Sequence, residues 1–127
     1  MIAIDTSVLV RLLTGDDPGQ TERAADLFRR EHILIAKTVL LETEWVLRYS
    51  YPLSPPVILA AFRKLLGLPR ITLEDAAVVT EALARYEAGM DFADALHLAS
   101  GHTAEAFATF DTRLKKRAGT QAKVMLL

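Results

Sequence analysis

A chain of 127 residues with 51% hydrophobic side chains is long enough for one packed domain and too apolar for a disordered one. Fifteen Lys and Arg against sixteen Asp and Glu leave a net charge of -1, so the total implies no polyanion partner and any nucleic-acid binding needs a local patch. Without cysteine, a disulfide framework and a thiolate zinc site are both excluded, which fits a reducing, cytoplasmic setting.

The N-terminus, MIAIDTSVLVRLL, meets an acid at position 5 and has no basic segment before an apolar run, so no signal peptide is expected. No stretch approaches the ~20 apolar residues of a membrane span, and no membrane role is expected. The first strand candidate is IAI (2–4), leading into DTSVLVRLLTG, which Gly15 stops. PGQTERAADLFRRE (18–31) reads as a helix, with Pro18 in its first turn and Ala24, Leu27 and Phe28 on one side. HILIA (32–36) is a buried strand candidate, and a helix from Thr38 to about Ser50 follows. SYPLSPP breaks the chain; Ser54 and Pro55 are the cap and first position of a helix ending at Gly67. RITL (70–73) is a strand, and a helix runs from Glu74 to Gly89. The helix of DFADALHLAS comes next, then the strand AFATF (106–110), a short helix in DTRLKKRAG and a last strand in AKVMLL. There is no internal repeat, linker or low-complexity segment. Strands alternating with helices imply a mostly parallel sheet covered on both faces, with ligands beyond the carboxyl ends of the strands.

Two strand candidates end directly in aspartate, Asp5 and Asp111. In a parallel sheet both lie at the same edge. Capping the following helix explains either one alone; both together, with Thr6 and Ser7, are harder to explain that way. Glu42 has Trp45, Val46 and Tyr49 at helical spacing, so it points from within an apolar stripe, where a carboxylate needs a cation or donors. Glu44 sits four residues before Arg48, the favoured order for an exposed ion pair, and is expected on the surface.

In GMDFADALHLASGH, Phe92, Ala95, Leu96 and Ala99 form the core stripe, and Leu98 projects between Asp91 and Asp94. His97 and Ser100 face outward. Asp91 is explained as the N-cap; Asp94, inside the first turns, is not, beyond about 0.3–1 kcal/mol from the helix dipole. Asp5, Glu42, Asp94 and Asp111 therefore come from different segments and can all reach one sheet edge. With no cysteine and no suitably spaced histidine pair, this all-oxygen set selects a hard cation, Mg2+ or Mn2+.

Together, IDTSVLVRLL, the acid in LLETEWVL, DFADALHLAS and ATFDTRLKK resemble the PIN-domain nucleases, in particular the VapC-type toxin ribonucleases of toxin–antitoxin pairs. The blocks occur in the family's order and cover essentially the whole chain. The resemblance implies a three-layer α/β/α fold, a single domain over 1–127, with a mostly parallel central sheet of about five strands. It implies that Asp5, Glu42, Asp94 and Asp111 are the metal-binding and catalytic acids, with Thr6 and Thr109 as supporting hydroxyls and Asp91 as an extra acid. It further implies homodimers, RNA cleavage and inhibition by a VapB-like antitoxin. The mechanism expected is hydrolysis of the RNA phosphodiester, water attacking phosphorus in line to leave a 5′-phosphate and a 3′-hydroxyl. Asp5 and Asp94 would hold the first ion, with Asp111 and Glu42 completing the shell or holding waters and a second ion.

The basic run RLKKR (113–117) offers Arg113, Lys115 and Lys116 as guides for the RNA backbone, beside the plainer reading of a solvated helix face. The histidines read as surface residues. LLETEWVLRYSYPLSPPVILAAFRKLL carries more apolar side chains than a small core needs, including Trp45, Tyr49, Tyr51 and Leu53. With the first helices, part of it is expected to form a groove for an amphipathic antitoxin segment. The rival readings are a catalytically inactive PIN-like interaction module and an aspartate-based phosphotransfer domain. The first should have lost some of the acids, and all four are present. The second usually needs another acid two residues after the first, where Ser7 stands.

Overall fold

A computed structural model describes all of Met1–Leu127. The chain is a mixed α/β fold of the expected type: β1(Ile2–Ala3), α1(Thr6–Thr14), α2(Pro18–Arg30), β2(Ile33–Ile35), α3(Lys37–Tyr49), α4(Pro55–Leu66), β3(Ile71–Leu73), α5(Ala76–Glu87), α6(Phe92–Ser100), β4(Phe107–Thr109), α7(Thr112–Ala118) and β5(Val124–Leu126). Every pairing is parallel, but the five strands divide into a sheet β1-β2-β3 and a sheet β4-β5 rather than forming one. They belong to two compact units, Met1–Ala76 and Ala77–Leu127.

In the first unit, β2 is the central strand, and Ile33 and Ile35 are both fully buried. Its neighbours are set in register by Ile2↔Ile33 and Ile33↔Ile71. Gly15 ends α1 in the left-handed region (φ 66), which only a residue without Cβ adopts cheaply, and its N–H closes onto the Arg11 carbonyl at 2.9 Å. Asp17 starts α2 by accepting from the Gln20 N–H at 3.0 Å, ahead of Pro18. The turn between these helices is fixed by Arg11, which donates to Gln20 at 2.7 Å, Asp16 at 3.1 Å and the Tyr51 hydroxyl at 3.3 Å. Tyr51 in turn donates to Asp16. Ser54 occupies the N-cap of α4 as expected, without a side-chain cap bond.

The helix expected from Glu74 begins later, at Ala76. The Glu74 N–H is held by the Ile35 carbonyl at 3.0 Å, and its carboxylate accepts from the Lys37 N–H at 2.9 Å. Asp75 then turns through positive φ (51) and pairs with the Lys37 ammonium at 2.7 Å. Tertiary bonds to the start of α3 outweigh the local helical preference of these two acids.

The second unit buries Val79, Ala82, Leu83 and Tyr86 of α5 and Phe92, Ala95, Leu96, Leu98 and Ala99 of α6. Tyr86 and Phe92 meet edge to face, with centroids 5.1 Å apart. The Lys115 ammonium joins α7 to β5 by donating to the Val124 carbonyl at 2.8 Å. No helix is long and apolar enough to cross a membrane.

Candidate active site

The first unit carries Asp5 and Glu42. Parallel pairing of β1 with β2 means that Asp5 and α3 both follow the carboxyl ends of adjacent strands. Asp5 stands at the N-cap of α1 but makes no side-chain cap bond, so capping does not account for its carboxylate. Its Oδ2 instead accepts from the Ser7 hydroxyl at 3.0 Å, and the group is exposed. Thr6, the other hydroxyl of this block, is buried at the first position of α1. From Ser7 a groove of about 430 Å3 runs between α1 and α2, lined by Val8, Ala24 and Leu27 with Arg11, Arg23 and Arg30.

On α3 the two glutamates exchange the environments expected of them. Glu44 is only 1% exposed, and its Oε2 pairs with Arg48 Nε at 3.1 Å. Glu42 is exposed. The buried face of α3 is Leu40, Thr43, Glu44 and Leu47, whereas Trp45 and Tyr49 are 57% and 60% exposed. The apolar stripe expected around Glu42, with Trp45 and Tyr49, is therefore on the exposed side of α3. Trp45 and Tyr49 lie with centroids 5.3 Å apart, and Arg48 stands 4.8 Å over the Tyr49 ring. Desolvation of Glu44 is compensated by its ion pair, which leaves Glu42 as the acid of this helix open to solvent.

The second unit carries Asp91, Asp94 and Asp111. Asp91 is the N-cap of α6, its Oδ2 accepting from the Asp94 N–H at 3.2 Å. Asp94, one turn in, is half-buried, and its carboxyl is held above the ordinary value. Burial is the main cause; the negative charges of Asp91 and Asp111 add to it, and His97 opposes it. Asp111 is both cap and candidate: its Oδ1 accepts from the N–H groups of Arg113 (2.8 Å) and Leu114 (3.1 Å). Thr109 Oγ1 accepts from the Asp111 N–H at 3.0 Å, so this hydroxyl orients the acid through the backbone. Arg113 and Lys116 are exposed, whereas Lys115 is occupied by its bond to β5. All three histidines are exposed.

The acids thus fall into one pair per unit, Asp5 with Glu42 and Asp94 with Asp111. No three His, Asp or Glu side chains close up into a ligand set. The donor chemistry suits a hard divalent cation: every candidate ligand is oxygen, and Asp94 as an anion is disfavoured by burial and by two like charges that a cation would offset. Ser7, singled out beside Asp5 in the sequence, makes the side-chain bond to it that a hydroxyl two residues after a strand-end acid can form. A search of curated proteins finds no match to the chain. The PIN domain family model matches residues 2–120, a span that includes every one of these acids, and the chain belongs to the PIN domain family.

Proposed function

We propose that this chain is a metal-dependent endoribonuclease acting as the toxin of a toxin–antitoxin pair. PIN domains are generally nuclease domains acting on RNA or DNA, usually with divalent metals such as Mg2+ or Mn2+. The observation that carries the reading is Asp94. A half-buried carboxyl raised by burial and by Asp91 and Asp111 has no structural task of its own, unlike Asp91, which caps the helix.

In this reading Asp5, Glu42, Asp94 and Asp111 are the acids that would hold Mg2+ or Mn2+. A divalent cation in such a shell polarises the phosphoryl oxygen and lowers the pKa of water. The chain's own residues do the rest. Ser7 restrains the Asp5 carboxylate, and Thr109 fixes the backbone of Asp111. Asp91 sets the start of α6, so that Asp94 is presented from its first turn. Thr6 is a supporting hydroxyl, and Arg113 and Lys116 are free to meet phosphates.

The VapB-like antitoxin is assigned to the first unit. Exposed Trp45, Tyr49 and Val57, and the groove between α1 and α2 with apolar floor and arginine rim, suit an amphipathic segment. The same reading includes a homodimer working in the cytoplasm. Its test is cleavage of single-stranded RNA by the purified chain. Activity should appear with Mg2+ or Mn2+ and stop with EDTA; full activity in chelator rejects the proposal.

A further inference from the structure

The basic residue of 113–117 with the most unusual surroundings is Arg117. No carboxylate pairs with it, and its guanidinium lies against Gly89, where an added Cβ would stand 2.5 Å from Nη1. Gly89 adopts φ +107, so the turn between α5 and α6 both requires glycine and leaves room for the arginine. The two residues border a cavity of about 480 Å3, which Arg85, Gly119, Thr120 and Gln121 also line.

Arg85 makes this more than a surface hollow. Its side chain is 12% exposed, yet its hydrogen bonds are all long: 3.4 Å to Glu81 from Nε and from Nη2, and 3.4 Å to the Ala118 carbonyl from Nη1. A guanidinium so withdrawn from water normally secures closer acceptors. Glu81 also lines the cavity and offsets part of the Arg85 charge at 3.4 Å; Arg117, a hydroxyl and an amide supply the further donors an oxyanion needs, while Ala84, Ala88 and Met90 form an apolar wall. The volume is in the range of small-ligand sites and exceeds what a bare phosphate fills. Two residues beyond Gly89 the chain reaches Asp91.

We propose that this pocket binds the phosphate group of a nucleotide, gripped by Arg85 and Arg117, with the sugar or base against the apolar wall. Planar guanidinium groups match phosphate oxygens in pairs. The site belongs to the second unit alone. Taking the nucleotide to be part of the RNA strand rests on the nuclease reading; a free mononucleotide offers the same chemistry.

The test is equilibrium binding to the full chain in EDTA, so that no strand is cut, followed by amide chemical shifts. The probes are inorganic phosphate, adenosine monophosphate and a short single-stranded RNA. Wild type should bind the mononucleotide with shifts centred on Thr120 and Gln121, and Arg117→Ala should weaken it roughly tenfold or more. Arg117→Lys should recover part of the loss, with the fold of both variants persisting in the same spectra. RNA binding that falls in parallel supports the strand as source; unchanged RNA binding supports a free nucleotide. Absence of binding by all three probes, affinity indifferent to Arg117→Ala, or shifts centred elsewhere overturns the proposal. RNA held in this pocket but never cut with Mg2+ rejects the nuclease and leaves the pocket standing. Metal-dependent cleavage with no phosphate binding does the reverse.

Discussion

The Asp91 carboxylate receives the backbone N–H of Asp94 at 3.2 Å, so one aspartate of DFAD starts the helix on which the other is carried. The two residues are thereby separated in role. Asp91 already has a structural task, and Asp94 bears the electrostatic load.

Asp94→Asn should reduce RNA cleavage by orders of magnitude, and Asp91→Asn far less, because Asn and Asp are equivalent N-caps. Single-turnover rates for both variants check this. Normal cleavage by Asp94→Asn with loss in Asp91→Asn would reverse the assignment.

Asp94 also predicts a pH signature in metal-free buffer. Its folded carboxyl is raised above its ordinary value by burial and by the charges of Asp91 and Asp111. Its contribution to stability is therefore full below the unfolded value and is lost as pH rises through the raised folded value. Wild type should gain stability as neutral buffer is acidified toward that value. Asp94→Asn should flatten this part of the profile and melt no lower than wild type at neutral pH. Mg2+ should raise the melting temperature of wild type more than that of the variant.

The glutamates of α3 should divide between stability and activity. Glu44→Ala strips a buried ion pair of one partner and should lower stability by about 3 kcal/mol. Glu42→Ala removes an exposed side chain and should leave stability within about 0.5 kcal/mol while cleavage collapses. Denaturant melts beside cleavage assays separate the two. A Glu44→Ala chain as stable as wild type would contradict the burial of that pair.

A second pH effect belongs to the α1–α2 turn. The Tyr51 hydroxyl is the main cause lowering the Asp16 carboxyl, helped by Thr14 and Arg11 and opposed by desolvation. A depressed carboxyl stabilises above its unfolded value, and that stability is lost as pH falls through the folded one. Tyr51→Phe should shrink the acid-side loss of stability attached to Asp16, most visibly below the ordinary carboxylate range. An unchanged acid limb would show that the hydroxyl does not restrain Asp16.

Much of this was legible from local signals. Gly15, Pro18 and Pro55 bounded their helices where such residues normally do, and the stripe Phe92, Ala95, Leu96, Ala99 is buried as its spacing implies. Asp91 as N-cap followed from its position alone. What failed depended on tertiary partners. Glu74 and Asp75 read as the opening turn of a helix, but their bonds run to Lys37. Glu44 and Glu42 were exchanged because spacing gives a helix's faces without saying which one turns inward, and Trp45 and Tyr49 drew the inward assignment. The five strands all pair in parallel as expected, but their order, β1-β2-β3 and β4-β5, is not written in strand sequence. For Asp5 and Asp111 the sequence allowed capping equally; the structure distinguishes them, because only Asp111 bonds the N–H groups of its helix.

The proposed nuclease activity needs both Asp5 and Asp94. Single-turnover cleavage in Mg2+ by Asp5→Asn beside Asp94→Asn, each confirmed folded, tests it most directly. Either substitution alone should lower the rate by orders of magnitude, with the residual activity still abolished by EDTA. Cleavage that survives Asp5→Asn, or that persists in EDTA, would contradict it.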